Sequence, residues 1–185
     1  MTRLVAIPIL VLIMMFATVL RAQQLPGLLG ITLGTKLEVP ACPKGGPGVQ
    51  IPTMCAEYLK AASWGGGPLA DVYQVFMDVE HRPSWTGRFQ IVVVNGIVKE
   101  ITLYTLGNAV QTEAFEATVK RLGQPDKSQT RDWKHERWGQ VKSVSASWQS
   151  SGWQASFEGL ANQLDVGLLK LSVTEQQLVR PSAPL

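Results

Sequence analysis

Alternation of apolar and polar residues is strongest between Val141 and Glu158. In an extended chain Val144, Ala146 and Trp148 fall on one side and Ser143, Ser145 and Ser147 on the other. Trp153, Ala155 and Phe157 then oppose Gln154, Ser156 and Glu158, and the polar stretch Gln149 to Gly152 supplies the turn. The pattern predicts an antiparallel hairpin whose tryptophans point into a core. Its other face is a neutral, hydrogen-bonding strip of Ser143, Ser145, Ser147, Gln154, Ser156 and Glu158.

The same period recurs along the chain. Ile31 to Leu33 reads as a short strand before a turn at Gly34 and Thr35. Val72 to Val79 predicts a strand with Tyr73, Val75, Met77 and Val79 on one face. Arg88 to Val94 and Val98 to Thr105 flank Asn95-Gly96, the strongest turn signal in the chain. A three-residue loop of Asn95, Gly96 and Ile97, with a bulge at Gly96, would set Phe89, Ile91 and Val93 beside Leu103, Ile101 and Lys99, so burial favours it over a two-residue loop. Val166 to Val173 predicts a final strand with Leu169, Leu171 and Val173 inward.

Two segments carry a helical pattern. Asn108 and Gln111 have capping-box spacing before a run in which Phe115, Val119 and Leu122 share a face, and Gly123 and Pro125 end it, predicting a helix over 109–122. Thr53 is expected to cap a shorter helix through Ala62. The expected fold is α+β: an antiparallel sheet with helices packed on one face. The halves 23–107 and 108–179 have a similar order of elements, as two tandem small modules would.

The N-terminus adds a compartment. Thr2 and Arg3 precede a charge-free apolar run from Leu4 to Leu20, and Ala22 offers a cleavage site before Gln23. Residues 1–22 are read as a signal peptide, 23–179 as one exported domain and 180–185 as a loose tail. The location is then periplasmic or secreted. The 17-residue run also reaches the lower limit for a spanning helix, so an uncleaved anchor in the inner membrane, facing the periplasm, is the alternative. Any membrane association would come through this segment alone. Cys42 lies too far from the cleavage region for a lipid anchor. Export gives Cys42 and Cys55 a partner in each other, closing the Gly/Pro-rich loop between them.

Net charge is +3 for the whole chain. Loss of residues 1–22 removes Arg3 and Arg21 and no acid, leaving 15 basic against 14 acidic residues, or +1. So small a charge gives no basis for binding nucleic acid. Motifs for chemistry are missing too: after His135-Glu136 the position for a second zinc-binding histidine is Gly139, and neither Gly45-Gly46-Pro47-Gly48 nor Gly65-Gly66-Gly67 continues as a phosphate loop. No nucleophile elbow occurs, and no catalytic residue, metal ligand or cofactor site is assigned. Asp78, Glu80 and His81 would meet only if the chain turned sharply at Glu80, and they read as a hydrated strand exit. A hydrolase would have to recruit His81 or His135, the only two histidines.

Recognition is more suggestive in the charged segment 126–139, where Trp133 and Trp138 stand beside Arg131 and Arg137. Aromatic and arginine residues in this combination suit a partner contact, with a protein or an envelope polymer, although a charged edge strand guarding against pairing has the same composition.

From Asn108 to Val173 the chain runs helix, Leu122-Gly123-Gln124-Pro125, then successive hairpins with tryptophan at inner positions. This resembles the small exported modules of the barrel-assembly lipoprotein and β-lactamase inhibitor protein type. The resemblance implies helices over an antiparallel sheet and a non-enzymatic binding or assembly role.

Overall fold

The computed structural model describes residues 25–44, 52–64, 69–135, 139–163 and 165–174. Residues 1–22, 180–185, Arg137 and Trp138 therefore lie outside the described residues.

A small hairpin, β1 (Gly27–Leu28) and β2 (Ile31–Thr32), precedes eight strands that form one antiparallel sheet. The first four are β3 (Met54–Ser63), β4 (Leu69–Met77), β5 (Thr86–Val94) and β6 (Ile97–Thr105). A 3₁₀ turn (Gly107–Ala109) and the helix α1 (Gln111–Leu122) lead to β7 (Lys127–His135), β8 (Gly139–Gln149), β9 (Trp153–Gln163) and β10 (Val166–Val173). The order across the sheet is β3-β4-β5-β6-β10-β9-β8-β7. Two four-stranded meanders thus meet through their last strands, leaving β3 and β7 as the outer edges.

Period-2 patterning decides which face is buried. Ala56, Val75, Phe89, Leu103, Leu169, Phe157 and Ala146 are successive cross-strand neighbours and all are buried. Beside them run Tyr73, Ile91, Ile101, Leu171, Ala155 and Trp148. As expected from the alternation, Trp148 and Phe157 face the core. α1 lies against β8 and β9 on this side, with the Phe115 ring 5.4 Å from Phe157 and 6.5 Å from Trp148, and Trp148 Nε1 donates to the Gly123 carbonyl (2.9 Å) at the helix end. Leu28, Ile31 and Leu33 of the N-terminal hairpin join the same core. Arg121 Nε donates to the Gly27 carbonyl (3.0 Å), tying helix to hairpin.

Four expectations need correction. The segment 53–62 is a strand, not a helix: despite its helix-forming residues, pairing with β4 and the Cys42–Cys55 disulfide hold it extended. Among the described residues α1 is the single α-helix. The β5–β6 turn has two residues, with Val94 paired to Ile97 and positive φ at both Asn95 (52°) and Gly96 (78°), as a type I′ turn demands. Apolar residues are kept together all the same, because a register shift at Lys99, between the pairs Val93–Val98 and Val92–Glu100, sets Phe89 beside Leu103 and Ile91 beside Ile101. Turn chemistry sets the loop, and a bulge reconciles it with the core. The strand β4 stops at Met77, so Val79 is exposed in the following turn instead of sharing the inner face. Asn108 and Gln111 form no capping box: Gln111 Nε2 donates to Asn108 Oδ1 (3.0 Å), and Val110 is the N-cap without a side-chain bond.

Gln111 has a different task. Pairing of β8 with β9 stops at Ser145–Glu158. Beyond it the Gln111 amide takes the place of a strand, donating to the Lys142 carbonyl (2.7 Å) and accepting from Val144 N (3.3 Å). Gly159 makes the room, since a Cβ there would collide with the Gln111 amide. Ser143 Oγ in turn accepts from Leu160 N (3.1 Å), so the parting strands leave these groups paired.

Candidate functional site: the open sheet face

The face opposite α1 carries the polar half of each alternation. Glu57, Gln74, Gln90, Thr102, Lys170, Ser156, Ser147 and Lys127 are cross-strand neighbours in that order. An unbroken polar row therefore crosses all eight strands, each residue about 4.8 Å from the next. Flanking it on β8 and β9 are Ser145 and Glu158 on one side and Gln149 and Gln154 on the other.

Two adjoining depressions of about 290 Å³ each lie on this surface and share Lys127, Ser147 and Ser156. Gln129, Ser145 and Glu158 complete one; Gln154, Lys170 and Ser172 help to line the other. Where the two meanders join, Lys170 Nζ pairs with Glu100 Oε2 (2.9 Å). Thr102 Oγ1 donates to Glu100 Oε1 (3.2 Å) and Trp64 Nε1 to Glu100 Oε2 (3.4 Å). Across the first meander a larger depression of about 540 Å³ is lined by Gln74, Gln90 and Arg88 together with the apolar Leu59, Phe76 and Met77. This surface offers hydroxyls, amides and charges, with the exposed Leu59 and Phe76 among them.

Two of the sequence-predicted recognition residues, Arg131 and Trp133, fall at its margin. Arg131 and Trp133 lie on β7 opposite Ser143 and Val141, so they share the open face with Lys127 and Gln129. Both are exposed. Trp138 and Arg137 are outside the described residues. The disulfide joins Cys42 to Cys55 and pins residues 40–42 against β3: Ala56 N donates to the Pro40 carbonyl (2.8 Å), and Cys42 N to the Ala56 carbonyl (3.0 Å).

The chain does turn after Asp78, and the residues meet in part. Asp78 Oδ1 accepts from the His81 backbone N–H (2.9 Å) and lies 2.6 Å from His81 Nδ1. The backbone hydrogen bond lowers the Asp78 carboxyl below its usual range; slight burial opposes this, and the His81 side chain adds to the lowering. This is the geometry of an aspartate closing a turn. Among the described residues no three His, Cys, Asp or Glu side chains come together as a metal site.

Sequence reasoning found the serine strip but missed its continuation through Lys170, Thr102, Gln90 and Gln74. The signal was present: each is a single polar residue between two apolar ones, as in Ile101-Thr102-Leu103 and Leu169-Lys170-Leu171. Only the strand order aligns them.

No protein-family model, curated protein or solved structure matches the chain.

Proposed function

We propose that this chain is an exported, non-enzymatic binding module, built from two four-stranded units, that engages a protein or an envelope polymer through its open sheet face. The observation that carries the reading is the polar row running from Glu57 to Lys127 across eight strands. Two adjoining depressions floored by small hydroxyl residues lie along the row, and an extended partner laid across the strands would find donors and acceptors at a regular spacing. Export is supported by the Cys42–Cys55 disulfide and by the apolar run at Leu4 to Leu20. Among the described residues no helix is long and apolar enough to cross a membrane.

Site-specific photocrosslinking in the cell envelope tests the surface. A crosslinker at Ser156 is expected to capture a defined partner that one at Glu116, exposed on α1, does not. Ser147→Arg should abolish that capture. Equal capture from both positions would overturn the reading. Mass analysis of the exported chain tests the N-terminus: a start at Gln23 is expected, and an intact Met1 would mean an anchored component instead.

A further inference from the structure

The two edges of the sheet are managed differently. β3 carries a register shift between Tyr58 and Lys60, and residues 40–42 pair with its Ala56 under the disulfide. Bulges and covering segments are the usual devices that stop a sheet edge from accepting another strand. β7 has neither. It pairs with β8 through nine consecutive residue pairs, Lys127–Ser147 to His135–Gly139, without a shift, and it contains no proline. Its outer backbone groups therefore form a straight, regular row over nine residues.

What guards this edge is charge. Lys127, Arg131 and Lys134 are exposed, and the one acid, Asp132, stands across from Lys142 on β8. Neither Lys127 nor Arg131 has an ion pair among the described residues. A second copy paired antiparallel about Arg131 would set the two Arg131 side chains against each other, which opposes that self-pairing. A segment bearing acids meets no such penalty.

We infer that β7 is a docking edge for an extended acidic peptide segment, which adds as a ninth strand. This rests on the binding-module reading and names its partner class. The pattern follows from the register. Lys127, Gln129, Arg131 and Trp133 share the open face, so a paired ligand places acids four residues apart against Lys127 and Arg131 and an apolar residue two further on against Trp133. Backbone hydrogen bonds supply sequence-independent attraction, and the two cations and the indole select the pattern.

The probes are labelled threonine-based nonapeptides, with Glu opposite Lys127 and Arg131 and Val opposite Trp133, made in parallel and antiparallel order. One order is expected to bind in an anisotropy titration, with affinity weakened by salt. Lys127→Glu combined with Arg131→Glu should weaken it about tenfold. Exchanging each Glu of the peptide for Lys should do the same while leaving the protein untouched, so misfolding cannot mimic the result. N-methylation of alternate peptide amides is the decisive arm: in one phase it should abolish binding and in the other spare it, because only every second amide faces the edge. Binding that survives both phases, or that ignores the charge exchange, would overturn the inference. Failure of the peptide with partner capture at Ser156 intact would sink the edge inference alone. Failure of both would sink the binding-module reading with it.

Discussion

Gln111→Leu tests whether a side-chain amide can substitute for a missing strand. The variant keeps the side chain's approximate volume but removes both bonds to β8, leaving the Lys142 carbonyl and the Val144 N–H without their partner. A buried group left unsatisfied costs about 1–3 kcal/mol. Both bonds are only part-buried and Lys142 is an exposed residue, so water takes up part of the loss and each counts at the lower end, which puts the total at about 1–2 kcal/mol. Asn108 is exposed and can turn to water, so its lost contact adds little. Urea unfolding followed by tryptophan fluorescence, without reductant, measures the change, and an unaltered denaturant slope would show that the unfolded state is the same. Gly159→Ala supplies the second side of a cycle. Its φ is not in the left-handed region, so the cost is the collision with the Gln111 amide. In a Gln111→Ala background the clash with the amide is gone and only a 3.2 Å approach to the Cβ of residue 111 remains, so Gly159→Ala should cost less there than in the parent, giving a coupling of about 1 kcal/mol. Additive losses, or a Gln111→Leu protein within about 0.5 kcal/mol of the parent, would refute the account.

Three further outcomes are expected. Reduction of Cys42–Cys55, or Cys42→Ser with Cys55→Ser, should lower unfolding stability by about 3 kcal/mol through the freed loop, read from the denaturation midpoint; no shift would mean that the strap against β3 holds without it. Gly96→Ala should cost about 1–2 kcal/mol from its left-handed backbone alone, since nothing lies within 4 Å of the added Cβ, and a neutral result would argue against the two-residue turn. The Asp78 carboxyl should titrate below an unfolded aspartate when followed by NMR. Because its folded value is the lower one, the stabilisation it gives is present above the unfolded value and disappears as pH falls through the folded value. His81→Ala keeps the backbone N–H, the largest cause, so the midpoint should rise yet stay below the ordinary range; a full return would mean that the imidazole dominates.

Face assignment was legible wherever a strand is half buried. Val144 to Trp148 and Trp153 to Phe157 declare their inner side by alternation, and the structure places them accordingly. Segment 53–62 failed because Ala56-Glu57-Tyr58-Leu59-Lys60-Ala61-Ala62 suits a helix locally, and the pairing with β4 that overrides it comes from a segment beginning at Leu69. The β5–β6 turn shows two local arguments, turn chemistry and apolar matching, whose conflict a bulge at Lys99 resolves. As for the site, the serine strip could be read within one hairpin, but its union with Gln74, Gln90 and Thr102 depends on β6 meeting β10, a long-range pairing with no local signature. Arg131 and Trp133 were picked out by composition alone; that they share a face follows from their spacing once β7 is known to be extended.

The meeting of β6 with β10 also constrains how the protein is made. During synthesis the first meander is complete by Thr105, yet the inner edge of β6 has no neighbour until residues 166–173 emerge. For that interval Ile101 and Leu103 lack the Leu171 and Leu169 that cover them in the finished sheet, while β9 likewise awaits its partner. The most buried seam is the last to close. A nascent chain in this state exposes two pairable edges, and until residues 166–173 arrive those edges can pair wrongly with each other or with another chain.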